Sequence, residues 1–538
     1  MVLSTPNLAL TAIAAWVLYL FGIIIYRLTL HPLTKYPGPF LARITQWYDT
    51  YHCYLGDRHV NQYRCQQKYG NVFQYSPKYL VVNTPGALKD VYTNSKINPV
   101  KKSSHYRFLH DDGHVSTHSA VDKDVHAFKR RVLNGGFSEQ ALRNLEPLMI
   151  ATIDRWLIAL GADGSKETKG WTKPKNMAKW SNYVTLDVLG DLCFGKPFGM
   201  LESDAYRDIP SFMLGRSKVF HVVGSASFSP RVSTNNLQIS NSPLNGMYQF
   251  IRDNTPFEQY IMPYAYHSLQ RLRGFAQKAM QERSVIAADL ERNGQQPRKD
   301  FVHYLSQAKD PETGKGYGPR EMANDLRLLI VAGSDTSSVV MAAIFYYLTR
   351  NPAIMEKPQG ELRGTFSDAN HIVSGPKINS CHYLRAVIDE ALRLSPPVSS
   401  SLPREIDGGG MNVDGIALPA GTVVGSGTFA MHRNEEYFAE PLTYMPERWL
   451  PEYTPAEQIT RARTAFFPFS LGSRGCIGKL MAYNELSIVV GRVFWLYDVR
   501  LSPGDKIGQD VDGLYEIKDV FVASRDGPIV EFRKHVQE

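Results

Sequence analysis

The sequence is poor in cysteine, and the few cysteines it has are scattered. Five occur in 538 residues, with no close pair among them: Cys53, Cys65, Cys193, Cys381 and Cys476. Disulfide scaffolds and zinc sites both need cysteines at short, regular spacings, so neither is expected. A reducing compartment fits this pattern best.

The chain also lacks internal boundaries and long charged runs. Beyond about residue 40, no Pro/Gly/Ser-rich linker and no repeat divides it, so we expect one large domain despite the length. The formal net charge is only +8, and no basic run interleaved with aromatic residues would follow a phosphate backbone. Nucleic acid is therefore not expected as a partner.

Charge is absent from one long segment near the amino terminus. Leu8 to Tyr26 carry none, and as a helix this segment would be about 28 Å long, close to the hydrocarbon thickness of a bilayer. Positive residues follow it, which places the rest of the chain in the cytosol. A cleaved signal peptide is the alternative, but it should have a basic start and a shorter apolar core. We expect a membrane anchor and hinge over residues 1–35 and one domain over residues 36–538.

The periodicity of apolar residues predicts a mainly α protein with small β-sheets. From about residue 120 to residue 400, nearly every periodic segment is helical. Strand-like segments stand near the amino end, in NVFQYS and YLVVNTP, and again in MNVDGIALPAGTVVGSG and VFVASRDGPIVEFRKH. Small sheets packed against a helical body are the expected arrangement.

One cysteine stands in a loop of small residues. Cys476 lies in FSLGSRGCIG, just before a segment with apolar residues at helical spacing. Three glycines, Gly472, Gly475 and Gly478, are expected to allow positive φ and close approach of a flat ligand. The amino end of the helix favours thiolate over thiol, and Arg474 offers a guanidinium to a carboxylate. The loop therefore predicts an anionic sulfur held against a metal; a buried structural cysteine is the alternative.

This loop resembles the haem-binding loop of the cytochrome P450 family, the haem-thiolate monooxygenases. The family pattern of Phe, Gly, Arg, Cys and Gly at fixed spacing is filled by Phe469, Gly472, Arg474, Cys476 and Gly478. The resemblance extends over about residues 36 to 530 and is to microsomal fungal members. It implies the cytochrome P450 fold and haem b (iron protoporphyrin IX) with Cys476 as the axial thiolate ligand. It also implies that Arg474 pairs with a haem propionate and that Phe469 packs near the sulfur.

The most apolar internal segment predicts a helix from about Pro319 to Arg350. From Leu328 to Leu348 its only charged residue is Asp335, and hydropathy alone would permit a second membrane span. Gly333 and the neighbouring hydroxyl residues argue instead for a helix weakened at a functional bend. An acid buried at that bend is expected to have a function.

The same segment resembles the oxygen-binding helix of the family. Ala332, Gly333, Asp335 and Thr336 match its pattern. The resemblance implies that Thr336 hydrogen-bonds the dioxygen bound at the iron and that Asp335 helps relay protons to its outer oxygen. The alternative is an N-capping or solvated Asp-Thr pair.

A Glu-X-X-Arg pair, Glu390 and Arg393, falls on one helix face. Taken alone it would be an ordinary surface ion pair. The family places this pair against an arginine of a later Pro-Glu-Arg segment, which Arg448 supplies here. The resemblance implies a structural network of Glu390, Arg393 and Arg448 behind the haem.

Two further cationic segments suit a ligand with two carboxylates. His126 and Arg130 stand one helical turn apart, and Arg404 begins a strand-like segment. Members of the family usually have Trp at the position of His126, so that residue departs from the pattern while Arg130 matches it. Contacts of all three with haem propionates are expected, and a solvated basic face is the alternative.

Substrate contacts are implied only by the topology of the family. They would come from Ser103 to His114, Phe212 to Val223, Leu328 to Thr336, Val398 to Leu402 and the region of Val520 to Val522. These segments favour a small, largely apolar molecule. The alternative is a carboxylate bound by basic residues of the first segment and its neighbours: Lys101, Lys102, His105 and Arg107.

The resemblance implies an enzyme that inserts one oxygen atom of O2 into such a molecule, in fungal secondary metabolism or in xenobiotic or aromatic oxidation. The chain has no flavin or nicotinamide fingerprint, so NADPH-derived electrons would come from a separate cytochrome P450 reductase, with cytochrome b5 as a second donor. The expected location is the endoplasmic reticulum membrane, single-pass, with a cytosolic catalytic domain in contact with membrane lipid. Two alternatives remain: a haem-thiolate enzyme that rearranges or dehydrates its substrate without O2, and a noncatalytic haem-binding sensor.

Overall fold

A computed structural model describes residues 5–93, 99–109, 115–165, 168–226, 263–296 and 298–536. These residues are mainly helical, with short strands in small sheets, as predicted. In chain order, the α-helices are α1 Thr5–Thr29, α2 Phe40–Ile44, α3 Trp47–Leu55, α4 Arg58–Tyr69, α5 Pro85–Leu88, α6 Lys123–Asn134, α7 Glu139–Gly161, α8 Met177–Phe194, α9 Ile209–Ala226, α10 Pro263–Arg292, α11 Phe301–Gln307, α12 Pro319–Arg350, α13 Pro352–Thr365, α14 Pro376–Asn379, α15 His382–Leu394, α16 Thr428–Met431, α17 Ala456–Ala465 and α18 Lys479–Leu496.

The strands are short and often far apart in sequence. They are β1 Val72–Ser76, β2 Tyr79–Val82, β3 Val100–Lys102, β4 Lys175–Asn176, β5 Arg404–Ile406, β6 Met411–Val413, β7 Ile416–Leu418, β8 Val423–Gly425, β9 Tyr497–Leu501, β10 Lys518–Val520, β11 Val522–Ser524 and β12 Ile529–Lys534. The five-stranded sheet has the order β1-β2-β8-β5-β3, in which only β2 and β8 run parallel. A second sheet joins β4, β12 and β9, and two hairpins pair β6 with β7 and β10 with β11.

Helix α12 runs through the hydrophobic core. It has the predicted bounds: Pro319 opens it, and the Gly318 N–H donates to the Glu321 carboxylate at 3.2 Å. Its most apolar window is 72% buried, and it packs along α8 and against α15 and α18. The structure therefore favours a core helix over a second membrane span. The helix is continuous through Gly333, where an added Cβ would lie 2.7 Å from Leu189 Cδ1 of α8. The glycine therefore permits close packing of the two helices.

Helix α1 has the opposite environment. None of its apolar window Leu10–Thr29 is buried, and the window is long enough to cross a membrane. At its end, the Arg27 guanidinium donates to the Ile44 carbonyl of α2 at 2.5 Å. An exposed apolar helix of this length fits a membrane anchor.

Candidate active site

The cysteine loop is a tight turn that approaches another backbone segment. A single 3₁₀ turn, Gly472–Arg474, precedes Cys476, and α18 begins three residues after the cysteine. Gly472 has φ +67, and a Cβ there would lie 2.1 Å from the Tyr92 carbonyl oxygen, so only glycine fits. Gly475 and Gly478 have φ −61 and −82. Of the three glycines expected to permit positive φ, only Gly472 therefore uses it.

Cys476 is accessible at its loop, although much of the protein surrounds it. The cysteine is exposed, unlike the other four, which are buried and free, yet enough protein surrounds it for burial to raise the pKa of the thiol. The Gly478 N–H, Arg130 and Lys479 act in the opposite direction, and the balance is a raised pKa. The Gly478 N–H at the start of the helix thus favours thiolate, as the sequence suggested, but burial outweighs it in the protein alone. A metal cation at the sulfur would supply the missing positive charge.

Beside this loop lies a group of basic side chains that we name the cation cluster. Its members come from β3, the segment before α6, α6 itself, β5 and the cysteine loop: Lys102, His118, His126, Arg130, Arg404 and Arg474. Lys102 and Arg404 are direct partners in the antiparallel pairing of β3 with β5. Like charges placed opposite each other destabilise a sheet unless an anion lies between them.

Burial and mutual repulsion lower the pKa values of this cluster. Burial takes the pKa of Lys102 well below its usual range, and Arg404 and Arg474 lower it further. The pKa of Arg474 falls to about 10 and that of His126 to about 3, through burial first and cationic neighbours second. In the protein alone His126 is therefore neutral at neutral pH, and protonation of the whole cluster would need a counter-charge nearby.

Within the described residues, no member of the cluster forms an ion pair with a carboxylate. Arg474 donates to the backbone carbonyl of Ala120 at 2.5 Å, and Lys102 to that of His118 at 2.5 Å. The buried Nε2 of His118 has no hydrogen-bond partner among the described atoms. A dianionic ligand fits this environment, and the two propionates of the haem that the resemblance implies meet the requirement.

The predicted cationic residues are brought together, and two more join them. Arg130 donates to the Gly475 carbonyl at 2.8 Å, which holds α6 against the cysteine loop, and His126 lies one turn earlier on the same helix. The sequence assigned Lys102 only to a possible substrate carboxylate and gave no role to His118. Only the register of β3 on β5, which places Lys102 opposite Arg404, would have pointed to Lys102.

On α12, Asp335 and Thr336 face different surroundings. Thr336 is partly exposed and donates to the Ala332 carbonyl one turn back at 2.7 Å. Ala332 is exposed although most of the helix is buried. Asp335 is completely buried, because consecutive helical residues point about 100° apart. The two side chains are adjacent in sequence but not hydrogen-bonded to each other.

The Asp335 carboxyl group has no hydrogen-bond partner for either oxygen among the described atoms. Burial raises its pKa to about 7, and the nearby Arg525 acts to lower it. Arg525 donates to Asn182 and Ser338 at 2.7 and 2.6 Å. A carboxyl group of this pKa can bind and release a proton near neutral pH. Arg525 was not predicted from the sequence.

The structure brings Glu390, Arg393 and Arg448 together in the core. Arg393 holds both Glu390 carboxylate oxygens, at 2.9 and 2.8 Å, and Arg448 donates to one of them at 3.0 Å. The Trp449 indole and the Met445 backbone N–H complete the shell at 3.0 Å each. Burial acts to raise the pKa of Glu390, but the two arginines bring it below its usual value. The carboxylate is therefore ionised and fully hydrogen-bonded.

Phe469 is also placed near the cysteine. Its carbonyl accepts the Cys476 N–H at 2.9 Å, and its ring packs on Tyr483 with centroids 5.1 Å apart.

Comparison with known proteins gives one family. A model of the cytochrome P450 family matches residues 36–515. A cytochrome P450 monooxygenase of Penicillium oxalicum is 34% identical over 98% of this chain and 96% of its own length. A cytochrome P450 monooxygenase of Gibberella fujikuroi is 32% identical over 98% and 99%. A trichothecene C-15 hydroxylase of Fusarium sporotrichioides is 30% identical over 97% of both.

Proposed function

The chain belongs to the cytochrome P450 family and is a monooxygenase of that family, and we propose that it inserts one oxygen atom of O2 into a small, largely apolar organic molecule. Its relatives are fungal enzymes, including one named a trichothecene C-15 hydroxylase. We place this chain in fungal secondary metabolism, with xenobiotic or aromatic oxidation as the other setting. The proposal rests on an exposed cysteine next to a largely buried cation cluster that has no carboxylate partner within the described part of the chain.

The residues that would hold haem b are those of the cysteine loop and the cation cluster. Cys476 would supply the sulfur ligand, and Arg474, Arg404, Arg130, His126 and Lys102 the partners of the propionates. Gly472 keeps the loop close to the neighbouring backbone, where any side chain would collide. When bound, haem supplies the electron transfer and dioxygen activation that no amino-acid side chain provides.

We assign proton handling to Asp335 and Thr336. The Asp335 carboxyl group, with a pKa of about 7, is partly protonated at neutral pH and can give up a proton without a large energetic cost. Thr336 lies on the accessible side of α12, and rotation of its hydroxyl away from the Ala332 carbonyl would free it to donate to a ligand on that side. The rest of α12 excludes water through its buried apolar residues.

The remaining assignments concern the cellular setting. We propose residues 1–35 as a single-pass anchor in the endoplasmic reticulum membrane and residues 36–538 as the cytosolic catalytic domain. NADPH-derived electrons would come from a cytochrome P450 reductase, with cytochrome b5 as a second donor. Exposed basic residues near the cysteine loop suit an acidic partner surface: Arg461, Arg463 and Lys479.

Carbon monoxide binding tests the ligand assignment. The reduced protein with carbon monoxide should show the red-shifted Soret band of thiolate ligation. Cys476→Ser should abolish that band, because a serine hydroxyl is not a comparable anionic ligand at neutral pH. The matched control is Cys381→Ser, a buried free cysteine elsewhere in the chain, which should keep the band. A normal band in Cys476→Ser would refute the assignment, and product formation without NADPH or O2 would refute the monooxygenase reaction.

A further inference from the structure

A small cavity with several polar side chains among its walls lies next to the cation cluster. Its walls include side chains from α4, the 3₁₀ helix Ser104–Leu109, α9, the segment before β5 and the β10–β11 hairpin: Arg58, His105, His221, Ser400, Asp519 and Phe521. The ring of Tyr106, which also lines the cavity, stacks under the Lys102 ammonium at 4.1 Å. The cavity and the cation cluster are thus separated by a single aromatic ring.

Phe521 marks the tip of the β10–β11 hairpin. It has φ +81, a left-handed conformation that bulky residues rarely adopt and that is costly unless the surroundings impose it. Its ring contacts those of His118 and His221, with centroids 5.6 and 6.1 Å apart. The hairpin tip therefore spans the distance from the cation cluster to the cavity.

His221 lines the cavity with unused hydrogen-bonding capacity. It is 3% exposed, and neither ring nitrogen has a hydrogen-bond partner among the described atoms. Its Nε2 lies 3.6 Å from the Asp519 carboxylate, which is an ion-pair distance but too long for a hydrogen bond. Burial lowers the pKa of His221, but the Cys53 sulfur and the Asp519 carboxylate raise it overall. Below that raised pKa, the ring carries two N–H donors and no acceptor.

The two carboxylates near His221, those of Asp519 and Asp49, already accept hydrogen bonds from other groups. The Asp519 carboxylate accepts the Ser400 hydroxyl and the Phe521 N–H, the latter at 2.9 Å. The charges are balanced in pairs, since Arg58 binds the Asp49 carboxylate at 2.6 Å and His221 faces Asp519. Burial first and His221 second lower the pKa of His105 to about 3, so this ring is neutral.

These features select one ligand chemistry. Because these charges are balanced in pairs, an ammonium group would add an unpaired positive charge beside Arg58 and His221, and a carboxylate would place a third anion beside Asp519 and Asp49. A neutral oxygen acceptor would satisfy the unpaired donors of His221 without adding charge. Val398, Leu402 and Phe521 give the cavity apolar walls as well.

We propose that this cavity binds a neutral carbonyl oxygen of the substrate, with His221 as the donor, so that the substrate is an apolar molecule carrying a ketone, ester or lactone. The inference rests on the proposed monooxygenase function, because it names the substrate class of that site. His221 is a specificity-determining residue in this proposal and takes no part in the chemistry.

Three probes of similar size test the proposal: cyclohexanone, cyclohexanecarboxylate and methylcyclohexane. Their dissociation constants are measured by ligand-observed NMR on the full haem-loaded chain, reduced and blocked with carbon monoxide so that no probe binds at the iron. Cyclohexanone should bind most tightly. His221→Phe should weaken cyclohexanone binding about tenfold or more, the loss typical of a hydrogen bond from a charged donor, and leave methylcyclohexane unchanged.

His221→Gln keeps an N–H donor and serves as the conservative variant, which should retain the preference for cyclohexanone over methylcyclohexane. His371→Phe, the same replacement at an exposed histidine, should change nothing. Equal losses in the Phe and Gln variants, an equal loss for methylcyclohexane, tighter binding of the carboxylate or no binding of cyclohexanone would each overturn the proposal. The carbon monoxide spectrum is recorded in the same samples. If its thiolate band is absent, the proposed function fails; if the band is present and His221 has no effect, only the carbonyl site fails.

Discussion

At the scale of single residues, the site is defined by groups whose charges are unsatisfied in the protein alone. Among the residues that the structure describes, Asp335 has no hydrogen-bond partner for its carboxyl oxygens, and Lys102 faces Arg404 across a pair of strands. Neither arrangement stabilises the fold. Residues that cost stability are expected where a ligand or a reaction uses them.

Because of Asp335, the free energy of unfolding should decrease as pH rises. Its pKa is about 7 in the folded protein, whereas an unfolded aspartate has a pKa of about 3.9. Between these values the folded state binds more protons, so the free energy of unfolding decreases with pH, by at most about 1.4 kcal/mol per pH unit from this residue. Asp335→Asn removes that contribution. The variant should gain stability relative to the natural protein between pH 5 and pH 8, as measured by denaturant unfolding.

Glu485, whose pKa burial also raises to about 7, is present in both proteins, so its contribution cancels in the comparison. Asp204→Asn at an exposed position is the matched control and should show no pH-dependent difference. If the free energy of unfolding of Asp335→Asn differed from that of the natural protein by the same amount at every pH from 5 to 8, Asp335 would be ionised in the folded protein throughout that range.

Replacement of Lys102 should stabilise the haem-free chain but weaken its hold on haem. Lys102→Met removes one of two like charges that face each other across β3 and β5, which should stabilise the haem-free chain. The same change removes a proposed partner of a propionate and should increase the rate of haem loss severalfold. Thermal unfolding of the haem-free protein and haem transfer to an acceptor protein measure the two effects.

Lys101→Met is the control for that experiment. Lys101 is the neighbouring lysine of β3, and its ammonium pairs with Asp407 at 2.7 Å, away from the cation cluster. It should leave haem retention unchanged. If Lys102→Met destabilised the haem-free protein, repulsion by Arg404 would not outweigh the hydrogen bond of Lys102 to the His118 carbonyl.

At the scale of structural elements, the sequence predicted helices better than strand pairing. The bounds of α12 followed from Pro319 at its start and the Asn-Pro after its end, because capping and proline chemistry are local. The pairing of β3 with β5 joins segments about 300 residues apart through three residues each. Such short strands carry no periodicity that fixes their partner or register.

The same contrast applies to the site. The spacing of Cys476, Arg474 and the glycines predicted the loop, but not that only Gly472 has a positive φ. Asp335 and Thr336 were identified correctly as neighbours on one helix. Their division between a buried and an accessible face depends on the packing of α8 against α12, which no local pattern in the sequence reports.

The Glu390 network should be essential to folding because it connects helix α15 to the 3₁₀ turn Pro446–Trp449, more than 50 residues later in the chain. Arg393 is completely buried and also donates to the carbonyls of His432 and Pro441 at 2.8 and 2.6 Å. Arg393→Ala leaves the Glu390 carboxylate poorly paired in the core and should cost about 3–5 kcal/mol. Urea unfolding and the haem content of the purified protein measure the effect. Arg393→Lys should rescue only partly, since lysine cannot make the bidentate contact.

Arg461→Ala is the matched control for the network. Arg461 pairs with Glu457 at 3.0 Å on the exposed face of α17, and surface pairs of this type contribute little to stability. The variant should unfold within about 0.5 kcal/mol of the natural protein. Equal stability of the Arg393 and Arg461 variants would exclude a structural role for the buried network.

At the scale of the whole molecule, two long apolar helices lie in different surroundings. Helix α12 meets the length and hydropathy of a membrane span but lies in the core, while α1 meets them with none of its window buried. Apolar exposure continues past α1 into α2 and α3, where Phe40, Leu41 and Trp47 are 63, 58 and 58% exposed. The chain thus presents an apolar helix long enough to span a membrane, followed by further exposed apolar residues.

Removal of residues 1–29 should separate these two contributions to membrane binding. The full chain should resist extraction by alkaline carbonate, because a spanning helix cannot leave the bilayer without exposing its apolar residues to water. The truncated chain should be released by carbonate yet sediment partly with membranes at neutral pH, through the apolar residues of α2 and α3. It should also keep the thiolate-type carbon monoxide spectrum, since none of the apolar window of α1 is buried against the domain. Carbonate resistance of the truncated chain would show that the spanning segment lies elsewhere.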